Sequence, residues 1–132
     1  MGRRAMCNGF ATRLASSALV LALSAAPAMA QSVRLVVQSS PLAGFRYHEA
    51  PQIWSELRVG DPLTLEREPG NPHDANAVSV AWRGHKLGYV PRRENALLAW
   101  SLDRGERLHA RISRLGTHPN PARRLEFEVY AQ

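Results

Sequence analysis

The side chains able to do acid–base or metal chemistry are His48, His73, His85, His109 and His118, together with the acidic residues. The histidines are scattered over separate segments. None shows the i, i+4 spacing that would put two of them on one helical face to hold zinc. There is no Gly-x-Ser-x-Gly elbow and no glycine-rich phosphate loop opening a helix. Glu66 and Glu68 sit in an alternating segment and read as solvent-facing or Arg-paired strand residues. The one cysteine, Cys7, lies close to the N terminus. The chain beyond it has no thiol nucleophile, disulfide or cysteine metal site. This inventory argues for no enzyme, no cofactor and no metal. A metal-dependent hydrolase built on Asp74 and nearby histidines ranks last among the readings.

Other residues suit binding. Asn71-Pro72-His73-Asp74 forms a dense cluster of turn formers. Asn and Asp side chains cap their own backbone, so these four residues can simply hold a bend. They can also present a carboxylate and an imidazole to a ligand, and the residues leave both readings open. Arg46-Tyr47 and Arg92-Arg93 place basic side chains beside a loop and beside a strand end. A guanidinium pairs phosphate or carboxylate bidentately and stacks on flat rings.

The elements that must position these residues are mostly short strands. Val33–Ser39 is β-branched and reads as the first strand. Gly44 and aromatic residues mark a loop over 41–48, and 53–59 reads as a short helical turn. Leu63 and Leu65 alternate with polar neighbours behind Pro62, the period of a half-buried strand. Val78, Val80 and Trp82 alternate again, Arg83-Gly84 makes a tight turn, and His85–Val90 returns as the partner of a hairpin. Tyr89 is expected in the core or barrel wall. Ala96, Leu97, Ala99, Trp100 and Leu102 form an amphipathic helical pattern, with Gly105 placed to cap it. Trp54, Trp82 and Trp100 are expected to pack. Leu108–Ser113 and Leu125–Tyr130 alternate as two closing strands. The fold class is therefore mainly β, about six strands with one or two short helices. A small, partly closed barrel or a sandwich resolves its edges best.

Residues 1–30 have a different character. Arg3, Arg4 and Arg13 precede the apolar run Leu14–Leu23, and Ala28-Met29-Ala30 ends it. Those are the three parts of a secretory signal peptide, with cleavage expected after Ala30. No second apolar stretch follows, so no membrane insertion is expected after cleavage. The organisation is a signal peptide over 1–30 and one domain over 31–132, located in the periplasm or secreted. The formal charge of the chain is +6. Loss of three arginines with the leader leaves fourteen basic residues against eleven acidic ones. That mild bias does not by itself call for nucleic acid.

The ordered motifs of the domain resemble the HIRAN domain. They are Gly44-Phe-Arg-Tyr-His48, Gly60-Asp-Pro-Leu-Thr-Leu65, Arg67-Glu-Pro-Gly-Asn-Pro-His-Asp-Ala-Asn-Ala-Val-Ser-Val80, Gly88-Tyr-Val-Pro91 and the helix after it. The resemblance covers nearly all of Val33 to Gln132. It implies an OB-like β-barrel and, by analogy with the fork-remodelling helicases that carry the domain, capture of the 3′-hydroxyl end of single-stranded DNA. In those terms Arg46 contacts a phosphate, Tyr47 stacks on a terminal base and Asp74 accepts a hydrogen bond from the 3′-hydroxyl. His73 stands where the DNA-binding members carry an aromatic residue, usually Tyr. Arg92 and Arg93 approach the backbone, and His118 is a loose candidate for a further wall.

Such a reader belongs with chromosomal DNA, whereas the leader sends the chain out of the cytoplasm. The domain then binds extracellular or incoming DNA, or keeps the barrel for a protein, peptide or glycan partner of the envelope, or translation starts downstream of the leader. The leading expectation is an exported module for single-stranded nucleic acid. The alternative is an envelope protein-interaction module.

Overall fold

The computed structural model describes residues 34–131, together with Gly2. The signal peptide, its cleavage after Ala30 and the strand start at Val33 lie outside these residues. Six antiparallel strands are present: β1 (Leu35–Pro41), β2 (Pro62–Arg67), β3 (Val78–Trp82), β4 (His85–Tyr89), β5 (Leu108–Leu115) and β6 (Leu125–Ala131). Two helices, α1 (Ala50–Ile53) and α2 (Ala96–Asp103), join them. Short 3-10 turns lie at Phe45–Tyr47, Trp54–Glu56, Arg92–Glu94 and Pro121–Arg123. The strand order is β1-β6-β5-β2-β3-β4. The expected mainly β, OB-like barrel is the fold observed.

Local chemistry accounts for the connections. Arg83 and Gly84 both take positive φ, 46° and 83°. That is the turn whose twist matches a two-residue hairpin, and it sets β3 against β4. Helix α2 ends on Gly105, φ 81°. The Gly105 N–H donates to Leu102 O at 3.0 Å and the Glu106 N–H to Ser101 O at 3.0 Å. This doubly bonded stop satisfies carbonyls that the helix end would leave open. The expected face of α2 needs correction. Leu98 and Ala99 are buried and Leu102 packs on the core, while Leu97 and Trp100 are 69% and 52% exposed. The buried stripe is Asn95, Leu98, Ala99 and Leu102, the i, i+3, i+4, i+7 set of one face. Trp82 does pack, at 4% exposure. Its indole N–H donates to Asp61 Oδ2 at 3.0 Å.

The core is built from the inward residues of β2 to β6, while β1 buries only Ser40. Val78, Val80, Leu87, Ile112, Phe127 and Val129 are fully buried. Leu42 joins them at the point where the sheet closes. The Leu42 N–H donates to Leu125 O of β6 at 3.1 Å. The next residue, Ala43, crosses to β4 and exchanges two backbone bonds with Tyr89, each 2.9 Å. The first strand of the order thus meets the last. Six residues on, the Glu49 N–H donates to Lys86 O and the Glu49 carboxylate accepts the Lys86 N–H at 2.9 Å. The stretch 43–49 therefore covers the outer edge of β4, which would otherwise offer unpaired backbone groups.

Gly88 makes this closure possible. A Cβ there would lie 2.2 Å from the Ala43 carbonyl oxygen and 3.1 Å from Leu42 Cγ. Backbone held by two hydrogen bonds cannot yield to it. Gly88→Ala is expected to cost about 1–3 kcal/mol or more of stability, as overpacking does. Gly70→Ala, with nothing within 4 Å of its Cβ, serves as control. Urea unfolding of both variants checks this, and equal midpoints would contradict it.

Candidate functional site

The loop from β2 to β3 folds on itself. The Glu68 N–H donates to Ala77 O, and the Ala77 N–H donates to Asp74 O. Asn71 Oδ1 accepts the His73 N–H at 2.9 Å. Asp74 Oδ1 accepts the Asn76 N–H at 2.9 Å. These are Asx-type turns, so the turn reading of Asn71–Asp74 is correct as far as it goes. At the neck of the loop, Arg67 holds Asp103 of α2 with two hydrogen bonds, of 2.9 and 3.2 Å, and also donates to Ala77 O.

Asp74 has a second anchor. Its Oδ2 accepts from the amide of Asn95 at 2.7 Å. Asn95 is 2% exposed and precedes α2 without capping it through its side chain. The Asn76 N–H holds the Asp74 carboxyl below the usual carboxylate range. Burial opposes that shift, while the Asn95 amide and the charges of Arg92 and Arg67 add to it. Asp74 is therefore a fixed anion. Each carboxylate oxygen carries two lone pairs, so one on each remains for a ligand.

A second segment faces this loop across the barrel closure. Gly44 turns at φ 75° into the 3-10 turn Phe45–Tyr47. Phe45 is buried and meets Trp54 edge-on, ring centroids 5.3 Å apart at 77°. With Phe45 plugged inward, Arg46 is exposed and Tyr47 stands out at 79% exposure. His48 turns back and packs edge-on against Tyr89 at 5.3 Å. Burial lowers the His48 pKa below its ordinary value, and the charge of Lys86 adds to this against the opposing charge of Glu68. The imidazole is neutral at pH 7.

Beneath lies a polar cluster that the sequence did not announce. Tyr89 Oη donates to Glu68 Oε1 at 2.9 Å, and Lys86 Nζ reaches Glu68 Oε2 at 2.7 Å. Lys86 also donates to Tyr89 Oη. Burial would raise the Glu68 pKa, but the hydrogen bonds from Lys86 and Tyr89 outweigh it and hold the carboxyl below its usual range. Lys86 is correspondingly raised: burial lowers it, and the bonds to Glu68 and Tyr89 more than restore it. The expectation that Glu68 faces solvent or pairs with an arginine is thus corrected: its partner is Lys86. Tyr89, expected in the core or barrel wall, is half-buried in the wall at the end of β4.

These pieces enclose a cleft of about 570 Å³. Tyr47 and His48 come from one segment, Asn71, His73, Asp74 and Ala77 from the other, with Tyr89 and Val90 from β4 and its end, and Arg92 beside them. Four of the six residues expected to bind are therefore gathered here: Tyr47, His73, Asp74 and Arg92. Arg46 lines an adjoining hollow with Asn120, Pro121 and Ala122 instead. Tyr47 lines both spaces and so separates Arg46 from the cleft. Arg93 lines neither space. His118 also lies elsewhere: its Nδ1 accepts the Asn120 N–H and its carbonyl accepts from Arg124. Among the described residues, no acidic group lies within salt-bridge distance of Arg46, Arg92 or Arg93. Missed by sequence reasoning were His48, Asn71, Asn95 and the Glu68–Lys86–Tyr89 cluster. His48 and Asn71 lie within the motifs already singled out, whereas Glu68, Lys86 and Asn95 reach their partners only in space.

Comparison with known proteins places this geometry in context. Residues 35–132 match the family model of the HIRAN domain. The crystal structure of a protein from Lactobacillus plantarum aligns with a TM-score of 0.64 and 32% identity, covering 74% of this chain and 94% of that one. The HIRAN domain of human HLTF shares the fold at a TM-score of 0.55 and 18% identity, covering 70% and 73%. The Fanconi-associated nuclease 1 homolog of Oryza sativa subsp. japonica is 38% identical over 73 residues, 52% of this chain. The match spans 7% of the length of that relative.

The anchoring of Asp74 has a measurable consequence. Asp74→Ala leaves the buried Asn95 amide unpaired and is expected to cost about 1–3 kcal/mol at neutral pH. Because the folded-state pKa is depressed, the contribution is complete above the ordinary aspartate value of about 3.9 and is lost as pH falls through the folded value. Urea unfolding at neutral and acid pH should show the gap between wild type and variant narrowing in acid. A gap independent of pH would contradict the assignment.

Proposed function

The chain belongs to the HIRAN domain family, and from that premise we propose that it is an exported module whose cleft captures the 3′-hydroxyl end of single-stranded DNA. The observation that carries this reading is the pairing of Tyr47 with the Asn71–Asp74 loop on one cleft. An aromatic ring at 79% exposure contributes little to the core. At the rim of a cleft it is a platform for a base, and stacking is indifferent to base identity. His73, also exposed, offers a second, smaller flat face in the same cleft. Arg92 at the cleft and Arg46 beside it supply positive charge for phosphates.

The fixed carboxylate of Asp74 gives the end specificity. A 3′-hydroxyl donates a hydrogen bond to one of its free lone pairs. A 3′-phosphate would bring negative charge against an anion that cannot readily take up a proton. The same fixity supports binding rather than catalysis. Glu68 and Asp74 are both held ionised by dedicated donors, whereas a general acid or base needs a pKa near the working pH.

We place this activity in the periplasm or outside the cell, on the leader read in residues 1–30. The exported protein is then expected to begin at Gln31, which intact-mass measurement of the periplasmic or secreted form checks. A mass that retains residues 1–30 would refute export by cleavage. A second reading, an envelope protein-interaction module, is favoured by Leu35, Val36, Leu97 and Trp100, apolar side chains that are 43–69% exposed.

Fluorescence anisotropy with labelled single-stranded DNA separates these readings. We expect binding that prefers a 3′-hydroxyl over a 3′-phosphate and weakens steeply with salt, as phosphate contacts require. Tyr47→Ala should cost about 1–3 kcal/mol of binding, the worth of one stacked base, with the unfolding midpoint unchanged. Equal affinity for the two ends would refute the end-reading role. No binding at low salt would leave the envelope reading.

A further inference from the structure

The surface beyond the end cleft carries a row of hollows that a terminal nucleotide alone does not use. Tyr47, on the rim of the cleft, also borders the hollow of about 180 Å³ that contains Arg46 and Asn120. Phe45 joins that hollow to another of about 310 Å³, lined by Trp54, Thr117 and Arg124. Trp54 and Thr117 then border one more, of about 270 Å³, beside Arg58. The row follows the seam between residues 44–58 and the β5–β6 connection.

Its construction sets the half-buried ring of Trp54, backed by the buried Phe45, among arginine side chains. Phe45 and Trp54 are locked edge-to-face. Arg124 is held by the carbonyls of His118 and Pro119, at 2.8 and 3.3 Å, with its guanidinium 5.7 Å from the centre of the Phe45 ring. Those bonds orient the guanidinium without neutralising it. Among the described residues, no acidic group lies within salt-bridge distance of Arg46, Arg123 or Arg124. Of the acids in 44–58, Glu49 is tied to β4, and Glu56 is exposed in the turn that carries Trp54. Flat hydrophobic surface interleaved with cations along a groove is the chemistry that holds a single strand without reading its sequence.

We propose that this row is the track of the strand's 5′ continuation, with Arg46 and Arg124 taking backbone phosphates and the hollow at Trp54 receiving an inner base. The proposal rests on the cleft being the site of the 3′ end. It adds a second subsite and fixes the direction in which the strand leaves the cleft.

The test compares a thymidine dinucleotide with a thymidine octanucleotide, each with a free 3′-hydroxyl, on the wild-type protein and on Thr117→Glu. Thr117 is exposed and lines both outer hollows. The substitution puts an anion in the track without disturbing the core or the end cleft. An end reader gains no statistical advantage from length, because each strand has one 3′ end. The wild type is expected to bind the octanucleotide at least about fivefold more tightly, the lower end for one additional stacked base. Thr117→Glu should abolish that gain and leave dinucleotide affinity and the hydroxyl preference intact. Equal wild-type affinity for both lengths, or a length gain that survives Thr117→Glu, overturns the track. Loss of the 3′-hydroxyl preference on the dinucleotide would instead signal failure of the end cleft itself.

Discussion

Two backbone hydrogen bonds between Ala43 and Tyr89 hold the architecture and the site together. They convert an open six-stranded order into an OB-like barrel by joining the end of the first strand to the last. They also bring the loop after β1 against β4, whose hairpin partner β3 follows the Asn71–Asp74 turn. Without that contact Tyr47 and His73 would belong to separate surfaces. The contact demands a residue with no side chain at 88, since the Ala43 oxygen occupies the place of its Cβ. A single glycine thus serves both the closure and the cleft.

Around that closure the polar groups are organised so that the cleft keeps a defined charge. Glu68 is satisfied by Lys86 and Tyr89, and Asp74 by Asn76 and Asn95. Buried or half-buried carboxylates left without donors would rise in pKa or loosen the loop. Here they are stationary anions, while among the described residues Arg46 and Arg92 have no acidic partner. The division has a functional sense. Fixed anions discriminate at one point, and exposed surface cations attract a polyanion over a wide area.

Much of the fold was legible in the sequence because it depends on local chemistry. Alternation marked the strands, Arg83-Gly84 marked the hairpin and Gly105 marked the helix stop. The site was legible at Tyr47, His73, Asp74 and Arg92, whose roles the family resemblance supplied, while His48, Asn71 and Tyr89 lie in the same motifs without their part in the cleft being evident. The polar floor was hidden by an irregularity. Between Val80 and Ala81 the register of β3 and β4 shifts, pairing Val80 with Gly88 but Ala81 with Lys86. The extra residue on β4 reverses the alternation, so Lys86 and Tyr89 meet although strict alternation would send them to opposite faces. The Asp74–Asn95 bond was hidden for another reason: it joins a loop to a helix start across 21 positions. Trp100 misled because an apolar residue on a short helix need not face the core.

We propose that the closure builds a cleft for a strand end. This is tested most directly by amide chemical shifts of the isotopically labelled protein on titration with a 3′-hydroxyl dinucleotide. Saturable shifts are expected, confined to Tyr47, His48, Asn71, His73, Asp74, Tyr89 and Arg92 and their immediate neighbours. The hairpin tip at Arg83-Gly84 and the helix stop at Gly105 should not move. Shifts centred on those distant turns, or no shifts at low salt, would contradict it.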